Sequence, residues 1–245
     1  GVLVAIKTRV PNAKMPVLID IHGGPANQYQ PFYNGFMSFP TVNVPMVTIF
    51  PNIRGSSGFG KEFQNLDNQE KREDAIKDIE ALLDWIKTQP HLDSEKIVVK
   101  GVSYGGFVGL AIGLRNSNRV KAVIAENPII SVKNTVNYTA KSIQAMQVSE
   151  YGNIDDEKLI ELTEKLSPLG KDNLPNWKLP LFLSIGENDI RVPVQDVINL
   201  KDKVKAMGIS VWFIKAPKEG HFWANYENKI FLNVAEIAFI KKFIE

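Results

Sequence analysis

The sequence contains no cysteine and only three histidines, His22, His91 and His221. Without cysteine, the chain forms no disulfide bond, no thiolate zinc site and no cysteine nucleophile. Only these three residues can act as the base in a reaction that needs a histidine. The longest apolar stretch, residues 102–114, is interrupted by a serine, a tyrosine and four glycines. It falls short of the ~18 apolar residues of a membrane span, so we predict no membrane partner.

Charge is balanced rather than concentrated. The 245 residues include 29 basic and 27 acidic side chains, a net charge of +2, and the two signs alternate over residues 70–74. This pattern is typical of a solvated surface, so we predict no nucleic-acid partner. The first residues include neither a starting methionine nor an adequate signal segment, so we expect a cytoplasmic location and either a mature fragment or an excised domain. The length and the 44% hydrophobic content predict one globular domain over residues 1–245.

Apolar runs alternate with helical patterns along the whole chain. Strands are predicted over residues 2–10, 17–22, 44–51, 97–100, 120–125, 181–185 and 211–214, and helices over 76–86, 104–114, 194–207 and 230–244. This alternation predicts an α/β fold with a mostly parallel central sheet flanked by helices. The first two strands are too close for a crossover, which indicates an antiparallel start. Residues 127–180 show no strand pattern and predict a helical insertion over one edge of the sheet.

One motif after the fourth strand points to nucleophilic catalysis. Gly101-Val-Ser-Tyr-Gly105 has the form G-x-S-x-G and stands between a predicted strand and a predicted helix. This is the setting of a nucleophile elbow, in which the serine occupies a strained turn and the flanking glycines avoid clashes. The alternative is a glycine-rich helix start packed on a sheet. We predict an α/β-hydrolase fold with Ser103 as the nucleophile.

A serine nucleophile needs a base and an acid later in the chain. His221 is the one histidine downstream of Ser103, and it follows a predicted strand. Asp189 also follows a strand and lies between the two, with Glu187 as the rival acid. Loops after parallel strands meet at one edge of the sheet, so the three side chains can come together. Asp189 has an alternative role as the cap of the following helix, and the two roles are compatible.

An oxyanion hole needs two N–H donors. The amide of Tyr104 follows the nucleophile and supplies the first. The second is expected from the glycine loop after an earlier strand, where we favour Gly24 over Gly23 and expect His22 to shape the loop. The alternative is an ordinary turn with no catalytic role. No metal site or cofactor is predicted.

Five motifs, taken together and in order, resemble the catalytic domain of the prolyl oligopeptidase family. They are His22–Pro25, Asn52–Gly60, Gly101–Gly106, Gly186–Pro193 and Glu219–His221. The first is most similar to the acylaminoacyl-peptidase and dipeptidyl-peptidase-like branch. The resemblance implies a serine peptidase of short peptides with Ser103, Asp189 and His221 as its triad. It also implies that Arg191 binds a substrate carbonyl and that Arg54 is structural.

The sequence departs from the family in three ways. The usual N-terminal β-propeller has no counterpart here, so we expect either that missing domain or a second copy of the chain as a partner. His22 stands where some members have a tyrosine, so the oxyanion hole should rest on backbone amides. Phe222-Trp223 follows the histidine where a small residue is commoner and is expected to narrow or repack that rim.

The sequence offers candidates for the substrate pocket and more than one candidate reaction. We expect aromatic residues of the insertion, Tyr138 and Trp177, to line the pocket for the acyl residue, although either could be core. A carboxylesterase would use the same triad. A non-catalytic protein-binding domain is the more distant alternative.

Overall fold

The computed structural model describes residues 2–6, 13–31, 39–40, 43–170 and 172–244. These residues form one sheet of seven strands: β1 (Val2–Ile6), β2 (Met15–Ile21), β3 (Val47–Pro51), β4 (Leu92–Val102), β5 (Ala122–Glu126), β6 (Leu181–Gly186) and β7 (Val211–Ala216). Their spatial order is β1-β3-β2-β4-β5-β6-β7. Strands β2 to β7 are parallel to their neighbours, and β1 is antiparallel to β3.

The predicted fold is therefore confirmed, with one difference in strand pairing. The antiparallel start is present, but β1 pairs with β3, which lies between β1 and β2. The predicted extension of β1 to Val10 lies outside the described residues.

Eight α-helices occur in the described part of the chain. They are α1 (Lys61–Gln64), α2 (Arg72–Thr88), α3 (Tyr104–Arg115), α4 (Val132–Tyr138), α5 (Lys141–Tyr151), α6 (Glu157–Glu164), α7 (Val194–Ala206) and α8 (Tyr226–Ile244). Helices α4 to α6 confirm the predicted helical insertion between β5 and β6. Among the described residues, no helix combines the length and the apolarity that crossing a membrane requires.

The sheet has a hydrophobic core on each face because side chains alternate along its strands. Val17, Ile19 and Ile21 of β2 face the core that α2, α3 and α7 cover. Leu18, between them, faces the second core, which is covered by α8. Burial on both faces explains why the central strands are almost continuously apolar. Because β4, β5, β6 and β7 are parallel, their carboxyl ends lie along one edge of the sheet.

A buried charged cluster ties α8 to the middle of the sheet. Lys100 of β4 donates to Glu126 of β5 at 2.7 Å and to Glu236 of α8 at 2.6 Å. Burial raises the pKa of Glu236 well above its ordinary value, and the adjacent Glu126 carboxylate adds to this rise. Burial also acts to raise the pKa of Glu126, but the Lys100 ammonium keeps it below its ordinary value. The pKa values of the two carboxyl groups that share the Lys100 ammonium are thus shifted in opposite directions.

Candidate active site

Ser103 lies on a sharp turn between β4 and α3. Its φ is 56°, in the left-handed region, and its amide donates to the Glu126 carbonyl at 2.8 Å. A Cβ at Gly101 would lie 2.1 Å from the Gly105 carbonyl oxygen, and one at Gly105 would lie 2.1 Å from that of Ile21. Both glycines are therefore required by close backbone approach, and the turn has the geometry of a nucleophile elbow.

The three predicted triad residues come together at this turn. His221 Nε2 is 3.0 Å from Ser103 Oγ, and His221 Nδ1 is 2.8 Å from Asp189 Oδ2. The serine hydroxyl can donate to Nε2 only if the ring proton is on Nδ1, which then donates to the aspartate. Asp189 and His221 are 1% and 6% exposed, so their hydrogen bond is shielded from water.

The carboxylate of Asp189 has a different partner on each oxygen. Oδ2 accepts from His221, and Oδ1 accepts from the amides of Arg191 at 2.8 Å and Val192 at 2.9 Å. The acid and the capping role therefore coexist. The rival, Glu187, forms a solvent-exposed ion pair with Lys215. The hydrogen bond to His221 is thus made by Asp189, and its role as the acid stays a prediction.

Asn127, which the sequence reasoning missed, holds the histidine loop in place. It follows β5 with a φ of 41°. Its side-chain Nδ2 donates to the His221 carbonyl at 3.0 Å, and its Oδ1 accepts from the Gly186 amide at 3.1 Å and from Trp223 Nε1 at 3.4 Å. One buried amide thus links β5, β6 and the loop after β7. Its position directly after a central strand was the available signal.

The glycine loop after β2 lies against the nucleophile. A Cβ at Gly23 would stand 3.4 Å from the Cβ of Ser103, so this backbone approaches the serine closely. Gly24 lines the same cavity as Ser103. The Tyr104 amide is in the first turn of α3, where amides have no partner within the helix. The assignment of Tyr104 and Gly24 as oxyanion donors stays a prediction.

His22 shapes the glycine loop, as the sequence suggested. Its Nδ1 donates to the Gly23 carbonyl at 2.7 Å, and its Nε2 accepts from the Ser56 hydroxyl at 2.8 Å. This arrangement uses the neutral ring. Burial lowers the pKa of His22 below its ordinary value of 6.5, although the hydrogen bond to Gly23 opposes this shift.

The burial of neutral His22 predicts a loss of stability in acid. Below pH 6.5 the unfolded chain binds a proton at this residue, while the folded chain does not until the pH reaches the lower folded pKa. The His22→Gln variant should therefore lose less stability than the parent chain between pH 6.5 and that lower value. Chemical unfolding across this pH range measures the difference, and two parallel curves would contradict it.

A cavity of about 630 Å³ opens beside Ser103. It is bounded by the glycine loop, by α4 and α5 of the insertion, and by the loop that carries Asp189. Its lining residues are mostly aliphatic or uncharged polar: Gly24, Pro25, Ala26, Gln64, Ser103, Ile129, Thr135, Thr139, Ile143, Gln147, Ser149, Glu150, Tyr151, Arg191 and Val192. Arg191 lines the cavity as expected, and Tyr151 is the aromatic residue of the insertion that does so.

The two aromatic residues predicted to line the pocket lie elsewhere. Trp177 is only 1% exposed, packs over Gly113 in the core and donates to the Leu179 carbonyl, so its assignment to the pocket was wrong. Tyr138 is also absent from the lining. Its hydroxyl donates to the Asp189 carbonyl at 2.9 Å and braces the acid loop. An aromatic residue in an insertion can pack in the core, hold a neighbouring loop or line the pocket, and the sequence does not distinguish these roles.

The rim next to the histidine is apolar and exposed. Phe222 is 68% exposed and packs edge-on against the His221 ring, while the Arg191 guanidinium lies 5.0 Å from the Phe222 ring centroid. Trp223 instead turns inward and is buried. The two residues after the histidine thus divide between the rim and the second core, and the narrowing or repacking of the rim stays a prediction.

A buried ionic network lies behind the wall of the cavity that Glu150 and Tyr151 form. Arg72, which is fully buried, contacts Asp67 and donates to the Tyr104 hydroxyl at 3.1 Å and to the Glu150 carbonyl at 2.6 Å. The Tyr104 hydroxyl also donates to Asp67 at 2.8 Å. The guanidinium lies 4.9 Å from the centroid of the Tyr151 ring. Residues separated by up to 78 positions in sequence meet here, so no local pattern revealed the network.

Comparison with known proteins gives consistent matches. The sequence model described as the prolyl oligopeptidase family matches residues 37–245. The acylamino-acid-releasing enzyme of Rattus norvegicus is 27% identical over 226 residues, which cover 90% of this chain and 30% of that protein. Dipeptidyl aminopeptidase BIII of Pseudoxanthomonas mexicana is 27% identical over 94% of this chain and 33% of its own length.

Solved structures share the fold. An acylaminoacyl peptidase of Pyrococcus horikoshii superimposes with a TM-score of 0.87 at 22% identity, covering 99% of this chain and 39% of that one. The chain spans about a third of the length of the curated relatives that it matches. The shared part includes the carboxyl edge of the sheet, where Ser103, Asp189 and His221 meet.

Proposed function

The chain belongs to the prolyl oligopeptidase family, and from this membership and the geometry of its triad we propose that it is the catalytic domain of a serine peptidase. Its substrates are short peptides, and its reaction passes through an acyl-enzyme. The observation that carries the proposal is the unbroken hydrogen-bonded series from Ser103 Oγ through His221 to Asp189, at 3.0 and 2.8 Å. No step of this reaction requires a metal or a cofactor.

Each member of the triad has a defined role in the proposed reaction. Ser103 Oγ attacks the peptide carbonyl while His221 Nε2 takes its proton, and Asp189 stabilises the imidazolium that results. The amides of Tyr104 and Gly24 stabilise the oxyanion. His221 then gives the proton to the leaving amine, and a water molecule hydrolyses the ester by the same steps in reverse. The elbow and the close approach of the glycine loop support these assignments.

Labelling with a fluorophosphonate probe tests the proposal. The probe forms a covalent bond only with an activated serine, so the native protein should be labelled at one site. The Ser103→Ala variant should not be labelled. The exposed Ser210, which lies just before β7, offers a matched control because Ser210→Ala should keep the label. A folded native protein that remains unlabelled would defeat the proposal.

Matched substrates distinguish a peptidase from a carboxylesterase. The same acyl group presented as an anilide and as an ester should give measurable kcat/KM in both forms if the site protonates an amine leaving group. Cleavage of esters with no cleavage of any peptide anilide would favour the esterase. The peptidase names of the relatives make the amide the expected substrate here.

We also propose that this domain works with a partner that covers its active-site edge. The relatives are about three times as long as this chain, in keeping with an additional propeller domain. The exposed side chains of Phe222 and Ile190 at the rim are suited to an apolar contact. A second copy of this chain is the alternative occupant of that edge.

A further inference from the structure

The position of His221 determines which part of a substrate enters the cavity beside Ser103. The histidine must reach the leaving amine to protonate it, so the leaving group lies on the side of His221. Among the described residues, His221 is not part of the lining of the 630 Å³ cavity, whereas Ser103 is. The residue on the acyl side of the cleaved bond, P1, therefore points into this cavity. This step rests on the proposed function.

The described lining of the cavity contains one acidic side chain, Glu150 at the end of α5. Its side chain is 18% exposed and forms part of the cavity wall. Arg191 is the one basic side chain in the same lining. It follows Asp189 at the rim, and its guanidinium packs against Phe222. The two charges are thus on different walls, one on the insertion and one at the rim.

Arg72 divides its positive charge between two carboxylates, those of Asp67 and Glu150. Its guanidinium Nη1 is engaged by Asp67 and the Tyr104 hydroxyl, and Nη2 donates to the backbone carbonyl of Glu150. The Glu150 carboxylate oxygen Oε2 is 3.6 Å from Nη2, too far for a hydrogen bond. Within the described residues this buried oxygen has no hydrogen-bond partner. One guanidinium faces two carboxylates, which leaves an excess of one negative charge beside the cavity.

We propose that Glu150 is a specificity residue that selects peptides with lysine or arginine at P1. An ammonium or guanidinium in the cavity supplies the second positive charge. The aliphatic lining from Ile129 and Ile143 accommodates the methylene stem of such a side chain. Burial raises the pKa of Glu150, in line with a carboxylate whose lost hydration is incompletely replaced.

Two anilide substrates that differ only in charge test this proposal: N-acetyl-lysine and N-acetyl-norleucine anilides. Norleucine has the same straight stem without the ammonium. For the parent chain at pH 7.5, kcat/KM should be about 10- to 100-fold higher for lysine, the factor of one charge-assisted hydrogen bond. In Glu150→Gln the ratio should fall to about one, because the lysine rate falls toward the norleucine rate. Glu150→Asp should restore part of the preference.

A matched control is Glu161→Gln, which removes an exposed carboxylate from the same insertion. It should keep the parent ratio. The norleucine rate reports folding and catalysis in every variant. Parent protein that cleaves norleucine as well as lysine, or a Glu150→Gln variant that keeps the lysine preference, would overturn the specificity proposal alone. Absence of cleavage of both substrates together with absence of fluorophosphonate labelling would instead defeat the proposed function.

Discussion

Asp189→Asn should lower kcat for a peptide anilide by about 10⁴-fold, the size of effect known for this change in a serine protease triad. The surroundings explain why. The amides of Arg191 and Val192 require an acceptor, so the oxygen of the new asparagine stays on them and its NH₂ faces His221. Nδ1 must then accept, the ring proton moves to Nε2, and Nε2 can no longer accept the proton of Ser103.

The control for this variant is Glu187→Gln, the other acid in the same loop. Because Glu187 is paired with Lys215 at the surface, its replacement should leave kcat within about twofold of the parent value. Thermal unfolding should show that both variants are folded. An Asp189→Asn enzyme with nearly normal kcat would mean that another group orients the histidine.

Asp67→Ala should reduce the free energy of unfolding by about 3–5 kcal/mol. Both Asp67 and Arg72 are completely buried, so the substitution leaves a guanidinium without its carboxylate in the interior. The Tyr104 hydroxyl loses its acceptor as well. Because Tyr104 follows the nucleophile directly, we expect kcat to fall along with stability. Chemical denaturation measures the first effect, and anilide cleavage well below the unfolding midpoint measures the second.

Asp84→Ala provides the comparison, because Asp84 pairs with Arg119 at a side-chain exposure of 72%. Its loss should change the free energy of unfolding by only about 0–1 kcal/mol. The double variant Asp67→Ala/Arg72→Met should recover part of the stability lost in Asp67→Ala, since it removes the unpaired charge. Equal losses in Asp67→Ala and Asp84→Ala would show that the buried pair contributes no more than a surface one.

The meeting of the three triad side chains was predictable because each of them follows a buried parallel strand. Ser103, Asp189 and His221 lie after β4, β6 and β7, and parallel strands bring their carboxyl ends to one edge whatever the length of the connections. The rule that located them applies equally to Asn127, after β5. It was overlooked because an asparagine that supports a loop has no motif of its own.

The substrate cavity was much less predictable. Its walls combine residues from the glycine loop, the insertion and the acid loop, which are brought together only by tertiary packing. The sequence favoured Tyr138 and Trp177 because aromatic residues often line pockets. In the structure, Tyr138 donates a hydrogen bond to the Asp189 carbonyl and Trp177 packs in the core. The electrostatic surroundings of the Glu150 carboxylate also depend on which groups the Arg72 nitrogens contact, and only the structure shows these contacts.

The charged cluster between β4 and α8 has a consequence for synthesis of the chain on the ribosome. Lys100 is translated 136 residues before Glu236, the partner that covers it from α8. At ~5–20 residues per second, this delay is on the order of ten seconds. During that time Glu126 of β5 is already available to the Lys100 ammonium, whereas α8 and its Glu236 are not. The second core, on the face of the sheet that α8 covers, is therefore completed only after α8 has been made.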